Sequence, residues 1–485
     1  MFATIKAAVQ ADPDLPARAH DIDVLGRVLN GTVYDVLPYE FHDEKNGAGE
    51  YIPLRQRKPS VRYNLCRIVV EDSVSLLFGE GRFPQVESEN KETRDNLALV
   101  LKSARINAVM IDAAMRGSVG SVALHMRILR ERLFLDALDT AFLTPEFDPD
   151  APDTLVRVTE RRKVRGDALR DAGYAIQPDM LNQMHWFQRV WDGDADTWFV
   201  PQPVADAEQA PAIDAQRTVQ HGLGFVPIVW VRNLPGGNGI DGGCTFRPAI
   251  ETQIEIDYQL SQAGRGLKYS SDPTLLIKEP ASDEGNLVRS AANALVVSEN
   301  GDAKLLEING TASAAVIEYV RVLREMALEQ IHGNRSNADK VSAAQSGRAL
   351  ELMHQPLIWL ADNLRVSYGE DALLRLCHMI IAASQKFGIR VDGKPVKLSP
   401  APLVLRWPAW FAPTESDKQT QASTLATHRQ AGHISQETAV ASMSAAYDIE
   451  DVPAEIARIK ADEAAADARA AAQAAATQVA ETAPG

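Results

Sequence analysis

Ala312-Ser-Ala-Ala-Val-Ile-Glu-Tyr-Val-Arg-Val-Leu-Arg-Glu-Met-Ala-Leu-Glu-Gln-Ile331 reads as one helix. Val316, Val320, Leu323, Ala327 and Ile331 recur at spacings of 4-3-4-4, which lines one face of a 3.6-residue period. Roughly twenty residues of helix span about 30 Å, enough for one wall of a channel, although an ordinary core helix carries the same stripe. Downstream, residues 333–341 are polar and irregular. Ser342-Ala-Ala-Gln345 then fits a capping box, in which each side chain satisfies a free amide of the other residue. A long helical region follows to about Phe387, with Gly388 at its end. Pro356 lies inside it and predicts a kink near Leu352–Pro356, because proline removes one backbone bond and clashes with the preceding turn. Upstream, a helix is expected from Pro248 to about Leu267, with Ile250, Ile254, Tyr258 and Ser261 on one face. Between the two helices lie three short strand-like stretches, residues 273–279, 294–297 and 304–308.

Further out, helix and strand signals alternate. Residues 1–59 are rich in Pro, Asp and Gly and read as a peripheral arm with short helices. A helix is expected over 60–78, with Gly79 as its stop, and a second from Lys91 to Met115 through Leu97, Val100, Leu101, Ile106, Val109 and Ile111. Val122, Leu124, Met126 and Ile128 alternate with Ala123, His125 and Arg127, the period of a half-buried strand. Residues 155–164, 184–191, 197–200 and 225–231 are further strands, with the turn Asp192-Gly-Asp-Ala-Asp196 between the second and third. Pro235-Gly-Gly-Asn-Gly-Ile-Asp-Gly-Gly243 is a loop. Leu403-Val-Leu-Arg-Trp407 is a strand closed by Pro408 and Pro413. Helix resumes from Thr414, turns at Gly432 before the N-cap Ser435, and passes into an alanine-rich tail from Ala457. The class is α+β, and no internal repeat is visible.

The totals exclude several functions. The chain has 485 residues, 45% hydrophobic and 24% charged, an ordinary globular composition. No run reaches the roughly 18 apolar residues of a membrane helix, and the first residues do not read as a signal peptide. Cys66, Cys244 and Cys377 are scattered and odd in number, so neither a disulfide framework nor a zinc pattern is available. Net charge is −15, and Arg161-Arg-Lys-Val-Arg165 is the only dense basic run. A protein that grips DNA clusters its cations, whereas an acidic one can still guide DNA that must slide. Gly393-Lys394 precedes proline, so there is no phosphate-cradling loop, and Gly222-x-Gly224 lacks a third glycine and precedes a strand. Asp192, Asp194 and Asp196 imitate the start of a calcium loop, but Thr197 and Pro203 stand where Gly and Glu belong, so a solvated turn is the better reading. His354 and His378 form no metal-binding pair, and no nucleophile elbow exists. The expectation is therefore no catalytic residue, no metal and no cofactor.

The order of elements resembles that of the portal proteins of long-tailed bacteriophages. Asn64-Leu-Cys-Arg-Ile-Val-Val-Glu-Asp-Ser-Val-Ser-Leu-Leu-Phe-Gly79 is similar to the family's early helix. Leu223-Gly-Phe-Val-Pro-Ile-Val-Trp-Val-Arg-Asn233 resembles its strand leading to the stem, and Asp257-Tyr258 its acid–aromatic pair in inverted order. Ser346-Gly-Arg-Ala-Leu350, Pro413-Thr-Glu-Ser-Asp417 and Gly432-His-Ile-Ser435 also follow its pattern. The resemblance covers roughly residues 60–463, and residues 1–59 and the alanine-rich tail depart from it.

The resemblance implies a portal fold. An α/β wing (60–245) leads to a first stem helix (246–269), a small strand-rich clip (270–310), a second stem helix (311–332), a tunnel loop (333–345), a long kinked tunnel helix with a closing strand (346–413) and a helical crown (414–485). It implies a non-enzymatic ring of twelve copies at the capsid vertex, made in the host cytoplasm, through which double-stranded DNA is packaged and ejected without sequence specificity. The implied partners are further copies, the terminase large subunit, a head-completion or adaptor protein, and the major capsid and scaffolding proteins, with no membrane. Val316, Val320, Leu323 and Ala327 are expected to pack the stem. Asn334, Arg335, Ser336, Asn337, Asp339 and Lys340 are expected to face DNA, and Lys278, Glu279, Asp283 and Glu284 to meet partners. The competing readings are a shorter kind of head–tail connector or a packaging enzyme. The chain is long for the first and lacks the phosphate loop or acidic metal cluster of the second.

Overall fold

The computed structural model describes residues 1–206, 210–271, 274–280, 297–306, 311–333, 354–410, 415–444, 447, 449 and 451–481. The chain divides into two compact units, Met1–Arg335 with Pro356–Pro408, and Ser336–Gln355 with Ala409–Gly485.

In the first unit, α1 (Phe2–Ala8) and α2 (Ala17–Asn30) open the chain, and Gly31 ends α2 in the left-handed region at φ 72°. The short helices expected over residues 1–59 are present, but that stretch is not peripheral. Ile5, Val24, Val28, Val33 and Tyr34 are buried. The Arg18 guanidinium holds the Asp241 carboxylate through two bonds of 2.6 Å and donates to the Thr140 and Leu143 carbonyls. The apolar residues are few but spaced for one face. Their polar neighbours find partners far along the chain, which composition does not reveal.

Helix α3 (Leu65–Phe78) starts on Asn64, whose side chain accepts from the Arg67 amide, and ends at Gly79. Strand β1 (Gln85–Ser88) follows. The single helix expected over 91–115 is two, α4 (Lys91–Ser103) and α5 (Ile106–Gly117), with Arg105 left-handed at φ 54° between them. A stripe through Leu97, Val100 and Leu101 would continue at 104 and 108, yet the buried residues come at Ile106, Met110, Ala113 and Ala114. The phase slips, and the backbone breaks to follow it.

Strands β2 (Ser121–Leu129) and β3 (Arg132–Asp139) form a hairpin through Arg130 and Glu131, both at positive φ. Strand β2 is buried on both faces, not one, since His125 and Ala123 are as covered as Val122 and Leu124. β4 (Leu143–Phe147), β5 (Leu155–Arg165), the short α6 (Gly166–Asp171), β6 (Met184–Trp191), β7 (Ala195–Trp198), β8 (Gln202–Pro203), β9 (Val219–Gln220) and β10 (Ile228–Arg232) complete this part. The order β10-β2-β3 makes one antiparallel sheet and β4-β5-β6-β7-β9 another, with β8 paired to β6. Ala123, Leu143, Val158, Trp191, Val226, Ile228 and Trp230 pack as one core. At the turn after β6, Asp192 accepts from the amides of Asp194 and Ala195, and Asp196 pairs with Arg189. Two of the three aspartates are thus engaged within the hairpin.

Helix α7 (Ile250–Ser271) leads to the antiparallel pair β11 (Thr274–Pro280) and β12 (Val297–Leu306), then to α8 (Thr311–Gln330). Of the three short strands expected, the second and third fall on one strand, and residues 294–296, 307 and 308 lie outside the described residues. Helix α9 (Gln355–Leu364) runs through π-helical turns at Arg365–Leu373 into α10 (Leu374–Lys386). Pro356 stands in the first described turn, and the kink expected near Leu352–Pro356 falls largely outside the described residues. Among the described residues the helix is distorted at the π segment. There a Cβ on Gly369 would sit 2.4 Å from the Trp407 ring. Strands β13 (Ile389–Val391) and β14 (Lys394–Val396) pair with each other, and β15 (Leu403–Arg406) pairs with β1.

The second unit contains α11 (Glu415–Gln430), α12 (Gln436–Met443) and α13 (Val452–Glu481). Gly432 turns at φ 73°, and Ser435 caps α12 by accepting from the Thr438 amide at 3.1 Å.

Candidate assembly site at the α7–α8 pair

Helix α7 is held over its first half by side chains of which sequence reasoning singled out Asp257, Tyr258 and Ser261, but not Glu251, Gln253 or any of the partners. Glu251 accepts from the Met1 amine at 3.1 Å and from the Phe2 amide. Gln253 accepts from the Cys66 amide at 2.9 Å. Asp257 accepts from the Tyr34 hydroxyl at 2.7 Å and the Tyr63 amide at 2.6 Å. Tyr258 donates to the Arg57 carbonyl, and Ser261 accepts from the Val61 amide. These contacts tie residues 1–66 to one face of α7.

Burial pushes the Asp257 carboxyl up to about 7, against the lowering pull of the Tyr34 and Tyr63 donors and of Arg62. Burial likewise drives the Tyr34 phenol far above its ordinary range, with the Asp257 charge adding to the effect. Tyr34 is therefore a neutral donor at any physiological pH. The Asp-Tyr pair was legible at 257–258, but its partners lie about two hundred residues away in sequence.

The second half of α7 changes character. Gly264 and Leu267 are exposed, Leu260 is half-buried, and a Cβ on Gly264 would meet nothing within 4 Å.

Helix α8 packs against α7. On its expected packing stripe, Leu323 and Ala327 are buried within the chain, Val316 and Val320 are half-buried, and Leu328 and Ile331 extend the buried face. A Cβ on Gly333 would meet Leu328 at 2.5 Å and Val69 of α3 at 2.9 Å, so the end of α8 presses on α3. A second stripe remains open. Ala315, Tyr319, Val322 and Met326 follow at spacings of 4-3-4, with Tyr319, Val322 and Met326 each 45–48% exposed. Its residues were visible in the sequence, but the stronger stripe beside them drew the reading. On the polar side Arg321 pairs with Glu318 and Glu325.

The other expected site residues stand apart from this pair. Lys278 is exposed in β11, opposite Asp302 and beside a register shift before Pro280. The side chain of Glu279 is not described, and Asp283 and Glu284 lie outside the described residues, as do Asn334, Arg335, Ser336, Asn337, Asp339 and Lys340. Among the described residues no group of His, Cys, Asp and Glu could hold a metal, and no helix is long and apolar enough to cross a membrane. Burial raises the Cys66 and Cys377 thiols well above their ordinary range, so neither is an activated nucleophile.

No curated protein matches the chain. A family model described as "Phage portal protein, SPP1 Gp6-like" matches residues 180–469, more than half of the sequence. The match takes in β6, both helices of the pair, the π-distorted helix and all of α11 and α12. The chain belongs to the SPP1 Gp6-like family of phage portal proteins.

Proposed function

We propose that the chain is the subunit of a ring at one vertex of a phage capsid, through which double-stranded DNA enters and leaves. The family match carries this reading, because it runs from residue 180 to residue 469, from before β6 into the last helix, and does not rest on a single motif. The ring is taken to hold twelve copies in the virion, to dock the packaging motor through the terminase large subunit, and afterwards a head-completion or adaptor protein. Contacts with the major capsid and scaffolding proteins belong to the same reading, as does synthesis in the host cytoplasm. The chain itself performs no catalysis.

Within this scheme α7 and α8 are the stem, β11 and β12 the clip with Lys278, Glu279, Asp283 and Glu284 as its partner surface, and 414–485 the crown. Asn334, Arg335, Ser336, Asn337, Asp339 and Lys340 form the tunnel loop, where Arg335 and Lys340 touch phosphates transiently. A net charge of −15 per copy, multiplied around a ring, disfavours tight non-specific binding and suits DNA that must slide both ways.

The test is a packaging reaction with rings lacking residues 335–339. Rings should assemble normally while completion or retention of packaging falls. Wild-type packaging at every salt concentration would remove this loop from the DNA path. Intrinsic ATP turnover by the purified chain would contradict the non-enzymatic assignment.

A further inference from the structure

Three turns at one end of the first unit hold non-glycine residues in the left-handed region. Arg105 joins α4 to α5 at φ 54°, Arg130 and Glu131 form the tip of the β2–β3 hairpin at φ 50° and 61°, and Asp392 turns β13 into β14 at φ 50°. Among the described residues His332 is the one other case. These elements are tied together. The Arg390 amide donates to the Glu131 carbonyl at 2.8 Å, and its guanidinium pairs with the Glu131 carboxylate at 2.9 Å. Strand β13 also packs on α4, and the Asn96 side chain of α4 donates to the Lys397 carbonyl at 2.8 Å. Helix α5 lies along β3, with Arg116 paired to Asp139 at their far ends, so Arg105 comes to the near end, toward the hairpin tip.

Two of the four left-handed residues have a local reason. Asp392 precedes Gly393 in a two-residue hairpin loop, where Asp-Gly is favoured, and Glu131 is held by Arg390. Arg105 and Arg130 have none. Both are exposed, and neither side chain makes a hydrogen bond or an ion pair among the described residues. Glycine would adopt both conformations without the steric conflict that a Cβ brings. Arginine standing where glycine would be more stable points to a use for the side chain itself.

The surroundings are cationic. Residues 98–108, 130–134 and 387–399 hold seven Lys and Arg against two carboxylates, in a chain whose net charge is −15. Arg390 is neutralised by Glu131, whereas Lys102, Arg105, Arg130, Arg132, Lys394 and Lys397 are exposed and form no ion pair among the described residues. Apolar side chains are exposed at the same end. Leu99 stands one turn before Lys102, and Leu129 and Phe134 flank Arg132, whose guanidinium lies 5.5 Å from the Phe134 ring. A duplex backbone gains little from such residues. A polypeptide with carboxylates and apolar side chains uses both kinds of contact.

We infer that this end of the first unit docks an acidic polypeptide segment that carries apolar residues among its carboxylates, with Arg105 and Arg130 as its fixed cations and Leu129 and Phe134 as its apolar edge. The surface belongs to a single copy and does not depend on the proposed ring.

Fluorescence anisotropy of the purified chain tests it with three labelled probes: a peptide of repeating Glu-Glu-Leu, its Gln-Gln-Leu counterpart, and a DNA duplex of equal charge. The Glu peptide should bind roughly tenfold more tightly than either of the others, and more weakly as salt rises. The double variant Arg105→Gly with Arg130→Gly should lose roughly tenfold in affinity while its melting temperature holds or rises. Arg105→Lys with Arg130→Lys keeps the charge and should retain most of the binding. Lys460→Ala with Arg469→Ala removes the same charge from α13 and should bind like the parent. Equal binding of the Glu and Gln peptides, parental affinity in the glycine variant, or the same loss in the α13 variant overturns the inference. A glycine variant that melts several degrees lower also overturns it, since the two arginines would then serve the fold. Tighter binding of the duplex would assign the surface to nucleic acid and remove the polypeptide partner.

Discussion

Between Glu251 and Ser261, α7 is bound to its own chain by a row of hydrogen bonds from residues 1–66, those of Gln253, Tyr258 and the Tyr34–Asp257 pair buried. Between Gln262 and Lys268 the same helix turns Gly264 and Leu267 to solvent. The first half has every sign of a permanent intrachain contact, since buried polar groups demand exact partners. In the second half Arg265 pairs with Glu44, while Gly264 and Leu267 remain exposed. The same division recurs on α8, with Leu323, Ala327 and Ile331 inside and Tyr319, Val322 and Met326 outside. Buried and exposed apolar residues thus lie on different faces of the same two helices.

The largest expected effect lies on the anchored side. Arg18→Ala leaves the Asp241 carboxylate, only 11% exposed, without its guanidinium and should cost about 3–5 kcal/mol in chemical denaturation. A loss below about 1 kcal/mol would return residues 1–59 to the status of an arm. Next in size, Leu323→Ala opens a cavity inside the subunit and should cost about 2–4 kcal/mol whatever the protein concentration. A loss that appears only where the protein is assembled would move Leu323 from the intrachain face to the interface.

The pH dependence sharpens the same contrast. The Asp257 carboxyl is raised to about 7 in the folded chain, above its unfolded value near 3.9. Its favourable contribution is therefore complete below the unfolded value and is lost as pH rises through 7, with a slope of at most about 1.4 kcal/mol per pH unit. Arg62, Tyr34 and the Tyr63 amide face it and oppose the shift. Asp257→Asn should flatten the stability profile between pH 4 and 7, and an unchanged slope would place the titrating group elsewhere. The smallest effect is Tyr34→Phe, which deletes one buried hydrogen bond and should cost about 1–2 kcal/mol by thermal or chemical unfolding. No loss at all would mean that Asp257 does not depend on this donor.

What could be read from the sequence followed local rules. The α8 stripe lay where its 4-3-4-4 spacing put it, with ends within one residue, and the stop at Gly79 and the turn at Gly432–Ser435 marked real boundaries, although the helix expected from residue 60 begins at Leu65 behind the Asn64 cap. Strand β3 escaped notice because its hairpin turns on Arg130 and Glu131, without the Gly or Asn that signals positive φ. The break at Arg105 was written in the phase slip from Leu101 to Ile106, which a count of apolar residues hides. The anchors were invisible for a different reason. Arg18 and Asp241 stand 223 positions apart, as do Tyr34 and Asp257, and only the fold joins them. The open stripe on α8 was readable, but deciding that it is open required knowing which face its own chain covers.

The most direct test of the central claim is an image. Negative-stain electron microscopy of the purified chain at assembling concentrations should show rings with a central hole wide enough for a DNA duplex, roughly 20 Å or more across. The account predicts that those rings persist when residues 335–339 are deleted. Compact particles without a hole in the unaltered protein, at every concentration and salt tried, would contradict it.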